Sequence, residues 1–110
     1  MKRIVVGKHS DITEKRSRVV NVDGIEIALF KLSGGEIKAI ENKCPHKGGK
    51  LSEGIVCSHH VFCPLHDWKI SLENGVVQAP DEGCVNTFRV EIGADGDLIL
   101  YYNNRAEHAS

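Results

Sequence analysis

Apolar and polar residues alternate along most of this chain, which is the pattern of half-buried β-strands. The alternating runs are short, rich in β-branched residues and separated by turns that contain Gly, Asn or Asp. We therefore predict an all-β protein of short antiparallel strands arranged as a sandwich or barrel. The predicted strands are 18–22, 25–30, 36–40, 61–62, 68–72, 76–77, 87–92 and 98–102.

Two dipeptides predict tight turns between these strands. Asp23-Gly24 separates two β-prone runs, which is a strong hairpin signal, and Asn74-Gly75 is a second pair of this kind. Helix signals are weak. The best candidate is a single turn near Ser10–Ile12, for which we expect Ser10 to be the N-cap.

Residues 42–72 differ in composition from their surroundings. This segment holds three of the four cysteines and four of the six histidines. We interpret it as a subdomain built around a site, with residues 1–41 and 73–102 as the supporting β base and 103–110 as a polar tail. The whole chain, 1–110, is then one domain.

Composition narrows the class of protein. Apolar residues make up 41% and charged residues 26%, which are ordinary values for a globular chain. The net charge of −1 does not favour nucleic acid as a partner. We see no apolar run near the roughly 20 residues of a membrane helix, and Met1–Gly7 is too short for a signal peptide. We therefore expect a cytoplasmic protein that does not contact membranes.

Two cysteines and two histidines within 42–72 form a candidate metal-binding site. Its pattern is C-x-H, sixteen residues, then C-x-x-H, formed by Cys44, His46, Cys63 and His66. Each half supplies one thiolate and one imidazole, and a proline stiffens the chain directly after each cysteine. Two thiolates with two imidazoles suit a [2Fe–2S] cluster whose potential is raised because neutral nitrogen ligands replace thiolates on one iron.

Two other interpretations of the quartet exist. Cys2His2 is a common zinc set, although zinc modules usually pair C-x2–4-C with H-x3–5-H. The four residues could also be incidental in a metal-free scaffold. A binding module without redox function, with zinc or no metal, is therefore the alternative from another class.

The two boxes, Cys44-Pro45-His46-Lys47-Gly48-Gly49 and Cys63-Pro64-Leu65-His66-Asp67-Trp68, resemble those of Rieske proteins. The resemblance continues through Gly75, Ala79-Pro80 and the late strands, so it covers nearly the whole chain. It implies the all-β Rieske fold with a cluster-binding subdomain. It also implies that Cys44 and Cys63 bind one iron, that His46 and His66 bind the other nearer the surface, and that a loop at 79–81 covers a third side.

Longer strings resemble the small subunit of assimilatory NAD(P)H-dependent nitrite reductase. They are 41–46, 51–54, 61–70 and 78–85. This resemblance implies an accessory electron-transfer subunit without an active site of its own. Its partner would be a large subunit that carries FAD, a [4Fe–4S] cluster and sirohaem and reduces nitrite to ammonium in nitrate assimilation. A Rieske-type ferredoxin that serves a ring-hydroxylating dioxygenase is the alternative.

Three positions depart from the high-potential Rieske type. That type carries an extra cysteine in each box, where this chain has Gly49 and Leu65, and a hydroxyl donor where this chain has Trp68. Fewer hydrogen bonds to sulfur lower the potential, so we predict a value on the order of −150 mV. We expect Trp68 to pack beside the site and exclude water.

Other candidate residues have less specific signals. We expect Cys57 and Cys84 to be buried as small apolar residues, with a disulfide between them as the alternative. His59 and His60 are expected to be exposed polar residues, and metal binding is the alternative. Four lysines near the boxes form either a solvated face or a basic rim that docks an acidic partner; they are Lys43, Lys47, Lys50 and Lys69.

Overall fold

The structure is a computed structural model and describes residues 2–43, 49–64, 68–78 and 83–102. Within these ranges nine strands make two antiparallel sheets. Their bounds are β1 Lys2–Lys8, β2 Ser17–Val22, β3 Ile25–Lys31, β4 Ile37–Glu41, β5 Ile55–Cys57, β6 His60–Phe62, β7 Lys69–Ser71, β8 Thr87–Ile92 and β9 Asp97–Tyr102. The larger sheet has the order β1-β9-β8-β4-β3-β2, and the smaller has the order β5-β6-β7. The all-β prediction is confirmed.

The predicted strands and turns are observed with shifts of one or two residues at their ends, apart from 76–77, which forms isolated bridges with Ile70 and Cys84. Asp23 and Gly24 have φ values of 52° and 84°, and Val22 pairs with Ile25 across the turn. Positive φ at both central residues is the geometry of a type I′ turn, which matches the twist of the flanking strands. The Asp-Gly hairpin is therefore confirmed.

Two strands were not predicted from the pattern. β1 was not predicted because Val5, which is 62% exposed, lies between Ile4 and Val6, so apolar and polar residues do not alternate there. The register of β1 against β9 also shifts between Val5 and Gly7. β5 has only three residues, too few for a periodic signal.

The expected helical turn lies one residue earlier and is capped differently. It is a 3₁₀ turn over His9–Asp11 that begins after Lys8. The carboxylate of Asp11 accepts a hydrogen bond from the backbone N–H of Lys8 at 3.0 Å. Ser10 lies inside the turn, so the prediction that it is the N-cap was wrong. A second 3₁₀ turn covers Leu51–Glu53.

β3 and β4 separate two apolar cores. In β3 the four consecutive residues 27–30 are all buried, because both faces of the strand are covered. Ile27 and Leu29 join the core between β1, β8 and β9, whereas Ala28 and Phe30 join the core under the small sheet. A strand covered on both faces carries consecutive apolar residues and does not alternate between apolar and polar ones. The small sheet therefore packs against the central strand pair of β3 and β4.

Candidate metal centre

Cys63 is the predicted ligand whose position the structure describes. Cys63 follows β6 in phase with the buried Val61, so its side chain faces the core, and its residue exposure is 0%. Its backbone N–H donates to the carbonyl oxygen of Trp68 at 2.8 Å. This bond closes the loop 64–67, which contains His66. The fold thus presents a buried thiol at the base of a short loop.

The ends of three loops meet at one end of the strands of the small sheet; we call these ends the loop bases. Ile55, Phe62 and Lys69 are register partners across β5, β6 and β7, and the N–H of Gln78 donates to the carbonyl of Lys69 at 2.8 Å. Phe62 and Lys69 lie one residue outside the second loop, and Gln78 directly precedes the third. Ile55 follows the 3₁₀ turn through which the first loop returns to the sheet. The register therefore brings together chain segments that lie far apart in the sequence.

Backbone hydrogen bonds also join the two ends of the third loop, 79–82. The N–H of Val77 donates to the carbonyl of Gly83 at 2.9 Å, and Val76 forms an antiparallel bridge with Cys84. The N–H of Val85 donates to the carbonyl of Gly75 at 2.9 Å. These bonds pin both ends of the segment 79–82, which contains Ala79-Pro80-Asp81.

A glycine allows the return of the first loop to lie against β6. A Cβ added at Gly54 would lie 2.1 Å from the carbonyl oxygen of Phe62. The φ of Gly54 is −82°, a value open to any residue, so the requirement here is space and not backbone freedom. Only a residue without a side chain lets the two backbones approach this closely.

Trp68 is partly buried and packs against the core cluster that includes Cys63. Trp68 therefore packs beside the apolar core, and the expected exclusion of water from the site stays a prediction.

The predicted ligands are only partly within the described residues. Cys63 is described, whereas Cys44, His46 and His66 lie outside the described ranges. Within those ranges no three Cys, His, Asp or Glu side chains converge as a metal site. The donor set of Cys44, His46, Cys63 and His66 therefore stays a prediction. The buried, non-disulfide thiol of Cys63 at a closed loop base fits such a ligand.

Comparison with known proteins identifies the family. A model of the Rieske [2Fe–2S] domain matches residues 2–89. The chain belongs to the Rieske [2Fe–2S] domain family. Its cofactor is accordingly a [2Fe–2S] cluster, and its function is electron transfer.

Relatives of this Rieske protein include components of a dioxygenase system and of a monooxygenase. The ferredoxin component of the naphthalene 1,2-dioxygenase system of Pseudomonas putida is 34% identical over 84 residues, which cover 76% of this chain and 80% of that protein. The chain also matches the oxygenase component of 3-ketosteroid-9-alpha-monooxygenase from Mycobacterium tuberculosis, but it spans only 17% of that protein's length.

Solved structures show the same fold. A chain from the complex of reduced oxygenase and oxidized ferredoxin in carbazole 1,9a-dioxygenase superposes with a TM-score of 0.80 at 26% identity, covering 89% of this chain and 91% of that one. The provisionally assigned small subunit of an NADH-dependent nitrite reductase from Mycobacterium tuberculosis superposes with a TM-score of 0.83 at 23% identity, covering 90% and 93%. The expected Rieske fold is confirmed. No helix in the described part of the chain is long and apolar enough to cross a membrane.

The prediction that Cys57 and Cys84 are buried was wrong. Both are exposed, and no disulfide joins them. Cys57 follows Ile55 on the outer face of β5, opposite to the buried Val56, and Cys84 precedes the buried Val85. Single cysteines carry no periodic signal of their own, so only the strand register could assign their faces.

The histidine pair is split between two environments. His59 is exposed, and its Nδ1 lies 2.8 Å from a carboxylate oxygen of Glu73, which also binds Lys38. His60 is half-buried, and burial lowers its pKa, with further lowering by the charges of Lys69 and His59. The expectation of exposed polar residues therefore holds for His59 and is wrong for His60.

The lysines near the boxes do not act alike. Lys43 is exposed, and Lys47 lies outside the described residues. The Nζ of Lys50 donates to a carboxylate oxygen of Glu26 at 2.9 Å, and this bond both lowers the pKa of Glu26 and raises the pKa of Lys50. The Nζ of Lys69 lies 5.9 Å from the centre of the Phe62 ring. Glu26 was missed from the sequence because it lies on β3, 24 positions before Lys50.

Proposed function

We propose that this Rieske protein is the electron-transfer small subunit of an NAD(P)H-dependent nitrite reductase, with Cys44, His46, Cys63 and His66 as the cluster ligands. The observation that supports this ligand assignment is the burial of Cys63 at the end of the small sheet where the three loop bases meet. Two of those loops contain the other three predicted ligands. The proposed complex reduces nitrite to ammonium in nitrate assimilation.

The cofactor supplies one-electron redox chemistry, and the residues of the chain hold and shield it. Cys63 would hold the cluster from the side of the apolar core, and Trp68, which packs against the same core, would limit the access of water there. Backbone hydrogen bonds at Cys63 and Val77 fix the described ends of the second and third loops. Loop ends fixed in this way would limit the reorganisation that accompanies a change of charge on the cluster.

The assignment to nitrite reductase rests on sequence strings at the loops. They include Leu51–Gly54 at the return of the first loop and Gln78–Val85 around the third. The fold similarity to the nitrite reductase small subunit is compatible with this proposal and does not select it. The partner would be a large subunit with FAD, a [4Fe–4S] cluster and sirohaem, and the site of action would be the cytoplasm.

A second candidate is a Rieske-type ferredoxin that serves a ring-hydroxylating dioxygenase. One observation favours it. The naphthalene 1,2-dioxygenase ferredoxin component is 34% identical over most of both chains. The two candidates share the cluster and differ in the protein that accepts or donates the electron.

Co-purification tests the choice between them. The tagged chain is expressed in a host that makes a sirohaem-containing nitrite reductase large subunit, and the eluate is examined for sirohaem absorption and for nitrite-dependent NAD(P)H oxidation. We expect both to appear with the tagged chain and not with a tagged naphthalene dioxygenase ferredoxin as the matched control. Recovery without sirohaem, together with fast electron delivery to a ring-hydroxylating oxygenase, would select the ferredoxin.

A further inference from the structure

Asn42 is a buried polar residue at the start of the first ligand loop. It is 4% exposed, and among the described residues only Ser71 joins it as a buried polar side chain. It directly follows β4 and stands two positions before Cys44. A buried amide is costly unless all its polar atoms are paired, so its partners indicate what it does.

Asn42 makes three hydrogen bonds to other described residues. Its backbone N–H donates to the carbonyl oxygen of Glu26 at 2.9 Å, and its side-chain Nδ2 donates to Oε1 of the same residue at 3.1 Å. Its Oδ1 accepts from the backbone N–H of Ser52 at 2.7 Å. The orientation of the amide is fixed by chemistry, because the N–H of Ser52 only donates and the carboxylate of Glu26 only accepts.

These contacts tie together the two ends of the first loop. Asn42 precedes the loop, whereas Lys50 and Ser52 follow it, and Glu26 binds Asn42 and Lys50 with the same carboxylate oxygen. The hydroxyl of Ser17 donates to the carbonyl of Ser52 at 2.7 Å and fixes the returning segment to β2. We call Glu26, Asn42, Lys50 and Ser52 the loop clasp.

We propose that Asn42 is a positioning residue for the cluster: through the loop clasp it sets the span of the first loop and so limits the positions open to Cys44 and His46. This inference rests on the proposed ligand set. Removing the amide would leave the N–H of Ser52 without its acceptor and Glu26 with Lys50 as its remaining side-chain donor. The first loop would then widen while Cys63, on its own loop, stays in place.

The first test compares Asn42→Ala with Asn86→Ala in the cluster-loaded protein. Asn86 is a matched control because it is partly buried and its amide also binds a glutamate, Glu41 at 3.4 Å, without touching Lys50 or Ser52. Two quantities are measured: the EPR g values of the reduced protein, and the rate at which a chelator bleaches the visible absorption. We expect N42A to shift the g values and to bleach about 10-fold faster or more, and N86A to match the wild type.

The second test exchanges donor and acceptor across the clasp. Asn42→Asp keeps the acceptor for Ser52 but places a carboxylate against that of Glu26, so we expect fast bleaching. The double variant N42D/E26Q restores a donor–acceptor pair, because the amide introduced at position 26 donates to the carboxylate introduced at position 42. We expect it to return the g values and the bleaching rate close to those of the wild type, which a general loss of stability would not do.

The outcomes separate the positioning role from the ligand set. Unchanged g values and bleaching within twofold of wild type in N42A would overturn the positioning role. If N42A does not fold, the comparison of N42D with N42D/E26Q decides, and absence of rescue in the double variant would overturn it. A wild-type protein that binds no iron or sulfide after anaerobic reconstitution would instead refute the ligand set.

Discussion

The backbone N–H of Cys63 donates to the carbonyl oxygen of Trp68 across 2.8 Å, and the partly buried side chain of Trp68 packs against the core cluster that contains Cys63. The bond holds the two ends of the second ligand loop together while the thiol of Cys63 stays completely buried. Because Cys63 is buried at the end of its strand and its amide is fixed, the proposed ligand would need little reorganisation to bind iron.

Replacing Cys63 by serine should abolish cluster binding. A buried hydroxyl is a poor substitute for a thiolate toward iron, so visible absorption and the EPR signal of the reduced protein should be lost. The matched control is Cys57→Ser, since Cys57 is exposed and its face of β5 points away from the core. Equal cluster content in the two variants would show that Cys63 is not a ligand, and bound zinc in place of iron would favour the non-redox module.

Adding a single methyl group at Gly54 should destabilise the protein. The new Cβ would meet the carbonyl oxygen of Phe62 at 2.1 Å, and backbone there cannot move without displacing β6. We expect Gly54→Ala to lower the free energy of unfolding by about 3 kcal/mol, measured by chemical denaturation. Gly34→Ala is the control, because no atom lies within 4 Å of its added Cβ. Its change should stay within about 0.5 kcal/mol, and equal midpoints for both variants would contradict the close approach.

The pH dependence of stability should respond to Tyr101. The hydroxyl of Tyr101 donates to Glu91 at 2.6 Å and lowers the pKa of that carboxyl, with a further contribution from Arg89. A carboxyl whose folded pKa lies below its unfolded value stabilises the fold above the unfolded pKa, and the stabilisation is lost as pH falls through the folded pKa. Tyr101→Phe should therefore be less stable than wild type at neutral pH, and the difference should shrink below pH 4.5, the ordinary pKa of a glutamate.

A direct measurement of the same effect is the ¹³C titration of the Glu91 carboxyl. Its midpoint should rise toward the ordinary value in Tyr101→Phe. Tyr102→Phe is the matched control, because Tyr102 lies on the opposite face of β9 in the apolar core. If the Glu91 midpoint stays where it is in Tyr101→Phe, the hydroxyl does not cause the shift.

The reduction potential should lie near the low end of the Rieske range, on the order of −150 mV. The physical reason is that Trp68 stands where high-potential Rieske proteins have a hydroxyl donor to sulfur, as the resemblance of the two boxes to Rieske motifs implies. Gly49 and Leu65 stand where that type carries its two extra cysteines, so this second feature of the high-potential type is missing as well. A redox titration followed by EPR or circular dichroism measures the value. A clearly positive potential would contradict this prediction.

The lysines around the boxes should contribute unequally to docking if they form a basic rim. Lys50 is already neutralised by Glu26, whereas Lys43 is exposed to solvent. Lys43→Glu and Lys47→Glu should therefore slow association with an acidic partner and reduce its salt dependence. Stopped-flow electron transfer at several ionic strengths measures this, and an unchanged salt slope in both variants would favour a simple solvated face.

Much of the β framework was predictable because short-range patterns encode it. The Asp23-Gly24 turn has the positive φ values that this dipeptide adopts readily, and β3, β8 and β9 carry the β-branched and aromatic residues expected of strands. β1 was not predicted because its outward Val5 breaks the alternation. Ser10 is not the cap because the turn begins one residue earlier, after Lys8, and the carboxylate of Asp11 accepts the backbone N–H of Lys8.

The sequence by itself determined the chemical character of this protein: the spacing of two cysteines and two histidines predicts the donor types, and local alternation predicts an all-β frame. Only the tertiary structure decided which distant segments meet. The register of Ile55, Phe62 and Lys69 aligns the loop bases, and the hydrogen bonds of Asn42 join Glu26 to Ser52. It also decided that Cys57 and Cys84 face solvent. Such contacts depend on strand order and register, which are set by the packing of the whole chain and not by any one segment.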